Sequence, residues 1–503
     1  MTYLCEILSE ASNKFPSNIA IVEVGGKQLT YKDLQEKAVL LKHTLEKQEI
    51  GMGHRVGVLS SKRIETVAGI FGISYSGAAY VPMDVEAPVS RNLFILGDCQ
   101  VNALIIEASV FPEYKDDLLK EYCNVALSTL EGLLFFCRKE PFSLSEQLSK
   151  DIAFILYTSG STGKPKGVMI THQNALSFIL WANEVFDLSD QDVFASIAPF
   201  HFDLSVFDLY VSFRNGAQLL LIDAKTARNP RMLSTLIDQR KISIWYSTPT
   251  LLKLMLQFGK LAHFEHQSLR YVLFAGEVFP IPQLTRIKRA WSNAEFYNLY
   301  GPTETNVCTF FKIPKIVSSQ NIPFPIGKVC SFAEVKIVDP ERKCQEVFEG
   351  ELWVSGLSVS PGYWEQAEKD SAAFVVDTKG QRWYKTGDWA KINEAGDYEF
   401  IGRKDRMVKR RGYRIELAEI EAALYQHPQL FSAAVVAMEE QGELHICAFY
   451  QKKKEGSKDL DLIELQEHCL RFIPKYMLPD TFVPVVKIPQ TSTQKVDYQK
   501  LLE

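Results

Sequence analysis

"DIAFILYTSGSTGKPKGV", Asp151 to Val168, is the stretch on which the reading of the whole chain turns. Its first half is a short apolar run rich in branched and aromatic residues, the pattern of a buried strand. The second half is a loop. Gly160, Gly163 and Gly167 let the backbone turn its N–H groups inward, Thr158, Ser159, Ser161 and Thr162 add hydroxyl donors, and Lys164 and Lys166 supply positive charge. Such a surface suits a polyphosphate. It is not a P-loop, whose G-x-x-x-x-G-K-[ST] pattern needs four residues between its glycines and a hydroxyl after the lysine. Here only Ser161 and Thr162 separate Gly160 from Gly163, and Pro165 follows Lys164. A glycine-rich loop alone is equally well a surface turn, so the decision passes to the segments around it.

Working outward, "RVGVLS", "VFASIAP", "AQLLLID", "ISIWYS" and "YVLFAG" repeat the strand pattern, with helical segments between them. Alternation of that kind predicts α/β layering. After about Gly350 the texture changes to strands with closer turns, "GELWVSG" and "YEFIGR". A charged junction, "GRKDRMVKRRG", precedes a fresh unit that opens on "IELAEIEAALYQHP", where Leu417, Ile420 and Leu424 mark one helical face. Two strands, a helix near Leu462 to Phe472 and a last strand around Phe482 to Ile488 follow. The predicted fold class is α/β: a large N-terminal region of doubly wound sheets with a small β-barrel-like subdomain, and a smaller α+β C-terminal domain. The boundaries are 1–402, a hinge at 403–406, and 407–503.

Composition sets limits on function. The 503 residues are 46% hydrophobic and 23% charged, enough for large cores in a soluble globular protein. Glu6 and Glu10 interrupt the early apolar residues, so neither a signal peptide nor a membrane span is expected, and the cytoplasm is the expected compartment. Nine cysteines without a C-x-x-C pair read as core thiols in a reduced compartment. A net charge of −5 gives no reason to expect nucleic acid, and "KRRGYR" and "KKK" read as a turn or a solvated face.

The segments "LTYKDL", "YSGAAYVPMD", "FDLSVFD", "NLYGPTE", "YKTGD", "GRKDRMVKRRGYRIELAEIE" and "TQKVD" occur in that order. With them the chain resembles the adenylate-forming superfamily, which includes acyl-CoA synthetases, luciferases and the adenylation domains of nonribosomal peptide synthetases. The resemblance implies an ATP-dependent, AMP-forming ligase. It implies that the Tyr157 to Val168 loop closes over the β- and γ-phosphates of ATP, and that Gly276 and Glu277 belong to the nucleotide site. Asn298 would meet the adenine, Tyr300 would stack on it, Thr303 would touch the α-phosphate, and Glu304 would hold Mg²⁺. Asp388 would take the ribose hydroxyls with Arg403 beside it. Lys495 is the expected catalytic lysine, and Asp405 the hinge of a mobile C-terminal domain. Thr493 and Gln494 replace the usual asparagine and glycine before that lysine, which stiffens its loop, and Ala418 stands where glycine is frequent. His172 and His201 are either elements of the site or satisfied structural histidines.

Asp203, in "FDLS", stands where amino-acid-activating members place the carboxylate for the substrate ammonium; without that context it reads as a helix N-cap. Carried over position by position, the lining is Asp203, Leu204, Phe207, Tyr246, Leu273, Ala275, Leu299, Val307 and Cys308, closed by Lys495. Apart from Asp203 its walls are apolar except for a hydroxyl and a thiol, so they predict a small apolar amino acid. The lining resembles that of stand-alone enzymes that load L-proline onto a carrier protein. The expected partners are therefore L-proline and a phosphopantetheinylated carrier protein acting in trans. A stand-alone adenylation enzyme for another small apolar amino acid, an acyl-CoA synthetase and a non-catalytic member that binds nucleotide or a partner protein are the alternatives.

Overall fold

The computed structural model describes residues 2–127, 130–140, 142, 151–160, 164–315, 323–340, 345–403, 406–440, 443–453, 460–489, 496–498 and 500–502. The chain divides into two compact units. The first comprises Met1–Val85, Leu96–Leu156 and Gly167–Lys404; the second comprises Glu86–Ile95, Tyr157–Lys166 and Asp405–Glu503.

The first unit is built on two large mixed sheets. In one, the strands Glu295–Tyr300, Tyr271–Ala275, Ile244–Ser247, Val193–Ser196, Gln218–Leu221 and Ile19–Glu23 lie side by side in that order, each parallel to the next. Antiparallel strands close both edges. Parallel strands are covered on both faces, which is why these segments read as nearly continuous apolar runs. Their alternate residues feed two different cores. Trp245, Val272, Phe274 and Phe296 pack among the side chains of the helices Pro230–Gln239, Pro249–Phe258 and Ile281–Ala290, whereas Tyr246, Leu273, Ala275 and Leu299 belong to the larger core on the opposite face. That second face carries the candidate site.

The other large sheet has eight strands, with Ile152–Thr158, Ala79–Met83, Arg55–Leu59 and Ala103–Glu107 parallel at its centre. The strand expected at "DIAFIL" is present, and it runs into the first residues of the glycine-rich loop. Beside this sheet the helices Tyr31–Lys47 and Ile64–Ser76 meet at Gly72, where a Cβ would stand 2.8 Å from the Ala38 carbonyl and from Leu41. The β-rich subdomain, Ala333–Asp339 through Tyr398–Arg403, is a six-stranded antiparallel sheet that includes both "GELWVSG" and "YEFIGR".

In the second unit "KRRGYR" forms a β-hairpin, Met407–Arg410 with Tyr413–Glu416, turning at Arg411 and Gly412 with φ of 54° and 80°. The helix Leu417–Tyr425 buries Leu417, Ile420 and Leu424, the face read from the sequence. It packs on the antiparallel pair Leu430–Glu440 and Glu443–Lys452, followed by the helix Leu462–Cys469. The last strand is shorter than expected, Thr481–Pro484. Pro484 pairs with Tyr450, one further bond runs from the Val485 amide to the Tyr450 carbonyl, and the partner strand Glu443–Lys452 ends two residues beyond Tyr450.

Among the described residues no helix is long and apolar enough to cross a membrane. The described cysteines are all free thiols, but they are not all core residues: Cys123 is exposed and Cys5 half-buried. Cys123 lies on Tyr122–Val125, the edge strand of its sheet, where only one neighbour can cover a side chain.

Gly72→Ala gives the packing a direct test. Alanine is favoured over glycine inside a helix by about 1 kcal/mol, but crowding a carbonyl in a filled core costs roughly 1–3 kcal/mol. The variant is therefore expected to lower the thermal unfolding midpoint; a raised midpoint would contradict the close helix contact.

Candidate functional site

Asp203 precedes the one-turn helix Leu204–Val206, yet its side chain makes no capping bond to it. Oδ2 instead accepts a 2.7 Å hydrogen bond from the Thr303 hydroxyl. The helix runs into a π-helical turn, Phe207–Val211, before resuming at Ser212–Arg214. Wider turns of this kind recur at functional sites because they re-aim side chains that a regular helix would space evenly. Phe207 is fully buried, with its ring edge-on to Tyr246 at 5.5 Å between centroids.

The parallel ladder sets the rest of the wall. Tyr246 is paired with Leu273, and Ala275 with Leu299, so these side chains emerge on one face near the carboxyl ends of adjacent strands. Phe207, Tyr246, Leu273, Ala275, Leu299 and Val307 share one apolar cluster, with Leu204 packed against it. Cys308 does not join them. Its neighbour Val307 faces that cluster, and Cys308 turns the other way to pack with Tyr300 and Ile326. Burial pushes the Tyr246 hydroxyl well above its ordinary range, and the charges of Asp203 and Asp208 add to the shift.

"NLYGPTE" is shaped by Gly301. A Cβ there would lie 1.6 Å from the Asn306 carbonyl oxygen, so the turn closes only over glycine. The turn delivers Thr303 to Asp203 and buries Glu304 completely. Glu304 Oε1 accepts a 2.7 Å bond from the Tyr363 hydroxyl, and its carbonyl accepts from the Ser360 amide at 2.8 Å. Asn298 donates from Nδ2 to the Pro325 carbonyl at 2.9 Å.

Asp388 and Arg403 face each other across two antiparallel strands and form a buried ion pair. The Tyr300 hydroxyl donates to the other Asp388 oxygen, and Arg403 also donates to the Thr386 carbonyl at 3.0 Å. Burial raises the Tyr300 hydroxyl well above its usual range, with the Asp388 charge adding to it, so Tyr300 stays a donor. Gly276 has a φ of +93°, and Glu277 Oε2 accepts from the amide and hydroxyl of Thr250 at 3.1 and 2.6 Å.

The glycine-rich loop belongs mostly to the second unit. Thr158 Oγ1 is buried without a hydrogen-bond partner, and Ser159 donates to the Arg414 carbonyl at 2.6 Å. Lys164 is exposed and Lys166 buried. Ser161, Thr162, Gly163, Asp405 and Lys495 lie outside the described residues. His172 does structural work, accepting from the Leu4 amide at 3.2 Å, with its pKa lowered by burial to about 4, and His201 Nε2 stands 3.9 Å from Asp84 Oδ2. Sequence reasoning missed Tyr363 and Thr386. Tyr363 lies 59 positions from the carboxylate it serves and outside every motif quoted, whereas Thr386 sits within "YKTGD", two residues before Asp388, and acts through its carbonyl, which residue type does not reveal.

Residues 8–364 match the AMP-binding enzyme family, and residues 419–495 match the AMP-binding enzyme C-terminal domain. The chain belongs to this family and is an AMP-forming adenylating ligase that uses ATP. It is 35% identical over 503 residues to an L-proline--[L-prolyl-carrier protein] ligase of Pseudomonas fluorescens, covering 99% of this chain and 98% of that one. It is 36% identical to a ligase of the same name from Streptomyces coelicolor, over 95% and 92% of the two chains. In fold it is similar to the Vibrio cholerae adenylation domain AlmE in complex with glycyl-adenosine-5'-phosphate, with a TM-score of 0.83 at 23% identity, covering 100% of this chain and 98% of that one.

Tyr300→Phe keeps the ring and removes one of the two partners of the buried Asp388. Loss of a bond to a buried charge costs roughly 1–3 kcal/mol. Steady-state kinetics are expected to show a raised KM for ATP with the amino-acid KM unchanged; an unchanged ATP KM would separate Asp388 from nucleotide binding.

Proposed function

We propose that the chain activates L-proline as prolyl-AMP and passes the prolyl group to the phosphopantetheine thiol of a carrier protein acting in trans, as a cytoplasmic step of natural-product biosynthesis. The observation that carries this reading is Asp203: a carboxylate not engaged in capping its helix, held by Thr303 beside an apolar cluster. A buried ammonium without a counter-charge costs several kcal/mol, so a pocket offering one carboxylate and otherwise apolar walls selects a zwitterion with an uncharged side chain. The secondary ammonium of proline offers two N–H donors to Asp203, and its ring is small enough for a cluster walled by Phe207, Tyr246 and Leu299. The two relatives named above are supporting evidence for proline.

In the first half-reaction an oxygen of the substrate carboxylate bonds to the α-phosphorus of ATP as the bond to the β-phosphate oxygen breaks, and pyrophosphate leaves. In the second, the carrier thiol loses its proton, its sulfur bonds to the prolyl carbonyl carbon, and AMP departs. Both reactants of the first step are anionic, so cationic and hydrogen-bonding groups must offset charge where it develops. Lys495 is the proposed cation, and the Thr158 to Lys166 loop the proposed phosphate cradle. Thr303 is proposed to serve the α-phosphate, Asn298 and Tyr300 the adenine, and Asp388 the ribose. Leu204, Leu273, Ala275 and Val307 complete the proposed substrate-side set, and Cys308, which packs with Tyr300 and Ile326, drops out of it. Residues 1–402 are proposed to hold both substrates, and 407–503 to move about a hinge at Asp405.

Glu304 is chemically suited to Mg²⁺, being a completely buried carboxylate fixed through Oε1 by Tyr363. Among the described residues no group of three or more His, Cys, Asp or Glu could hold a metal. That fits an ion bound by one carboxylate together with substrate phosphates. When bound, Mg²⁺ would offset phosphate charge.

Amino-acid-dependent pyrophosphate exchange over all the proteinogenic amino acids tests the assignment. L-Proline is expected to lead the panel, and Asp203→Ala to abolish its exchange while ATP binding stays nearly intact. A clear preference for valine, phenylalanine or a fatty acid would overturn the proline reading, and product formation with CoA as the only acceptor would favour a CoA ligase.

A further inference from the structure

Behind the pocket lies a polar cluster that the proposed chemistry does not use. Asp208 sits on the π-helical turn, 1% exposed, and its Oδ2 is buried without a hydrogen-bond partner. The cation whose field acts on it is Lys62. Lys62 comes from the other large sheet, just beyond the strand Arg55–Leu59. Its Nζ donates to Ser196 Oγ at 2.7 Å and stands 5.5 Å from the centre of the Phe200 ring.

Ser196 ends the strand Val193–Ser196, and Asp208 lies in the turn that follows Phe207. Everything between them is the segment that carries Asp203, Leu204 and Phe207. Lys62 therefore grips one end of that segment by a hydrogen bond and the other by charge. The Ile197 amide, next to Ser196, adds its own attraction for the Asp208 carboxylate.

We propose that Lys62 is a positioning residue for the amino-acid pocket, acting through Ser196 and Asp208 to hold the Asp203-bearing segment in the geometry that receives the substrate ammonium. The physical reason is charge balance. A buried carboxylate without a cation must be neutralised or drawn toward water, and either outcome moves the turn that places Phe207 and Asp203. Burial pushes Asp208 well above the ordinary carboxylate range, and Lys62 and the Ile197 amide offset only part of that shift. Tyr246 feels the charges of both Asp203 and Asp208, so the cluster and the pocket share one field.

The inference rests on the proposed amino-acid activation, and the exchange assay separates the two. The wild-type panel is run first, and the variants are then read with whichever amino acid leads it. A leader other than proline overturns the proline reading alone; no exchange with any amino acid overturns both. Lys62→Met is expected to raise the amino-acid KM by about tenfold or more, with the ATP KM within about twofold. Lys62→Arg should keep most of the wild-type affinity, and Lys62→Met with Asp208→Asn should recover part of the loss because neither charge is left alone. An unchanged amino-acid KM, an equal rise in both KM values, or a double variant no better than Lys62→Met overturns the proposal. Should Lys62→Met fail to fold, Asp208→Asn must give the same split between the two KM values, and an unchanged amino-acid KM there overturns it equally.

Discussion

The bond from the Thr303 hydroxyl to Asp203 is the contact on which the rest of the site depends. It joins two loops that leave one sheet, one after Val193–Ser196 and one after Glu295–Tyr300, with two strands between them. Each loop brings a different chemistry: the first carries the carboxylate proposed for an ammonium, the second the groups proposed for nucleotide and metal. A hydrogen bond to a charged acceptor is short and directional. It fixes the distance between the two halves of a reaction whose reactants repel each other. Effective reaction needs the attacking oxygen near the α-phosphorus, and misplacement of about 1 Å is costly.

That bond is possible only because of backbone features some distance from it. Gly301 lets the chain pass against Asn306, and the π-helical turn after Val206 aims Phe207 into the core without an unbroken helix. Around the residues proposed for the nucleotide the same economy holds. Asp388, Arg403, Tyr300 and Thr386 form one closed set in which both carboxylate oxygens have partners. Buried polar groups satisfied in this way are rigid, and a rigid acceptor needs little reorganisation when substrate arrives.

Most of the scaffold was legible in the sequence because buried parallel strands are apolar on both faces and short. "ISIWYS" and "YVLFAG" show this, and so does the helix face of Leu417, Ile420 and Leu424. The motifs also located the residues that the structure gathers around Asp203 and Asp388. What the sequence could not supply was orientation and distant pairing. Whether Asp203 caps a helix is decided by a hydroxyl 100 positions away. Val307 and Cys308 are adjacent, and only the strand's setting tells which one faces the pocket cluster. Lys62 and Asp208 come from different sheets and carry no shared pattern. The last strand stops short of its apolar run because its partner, Glu443–Lys452, ends two residues beyond the pair Tyr450 and Pro484, which no local pattern announces.

The central claim is that one carboxylate selects the substrate by its ammonium. Cyclopentanecarboxylic acid has the ring and the reacting carboxylate of proline but no nitrogen, so comparing the two as adenylation substrates isolates that interaction. The account predicts that the wild-type enzyme forms the prolyl adenylate at least about thirtyfold more efficiently, since a buried charge pair left without one partner costs 2–5 kcal/mol or more. It also predicts that Asp203→Ala erases most of the difference. Equal efficiency for both acids in the wild-type enzyme would contradict it.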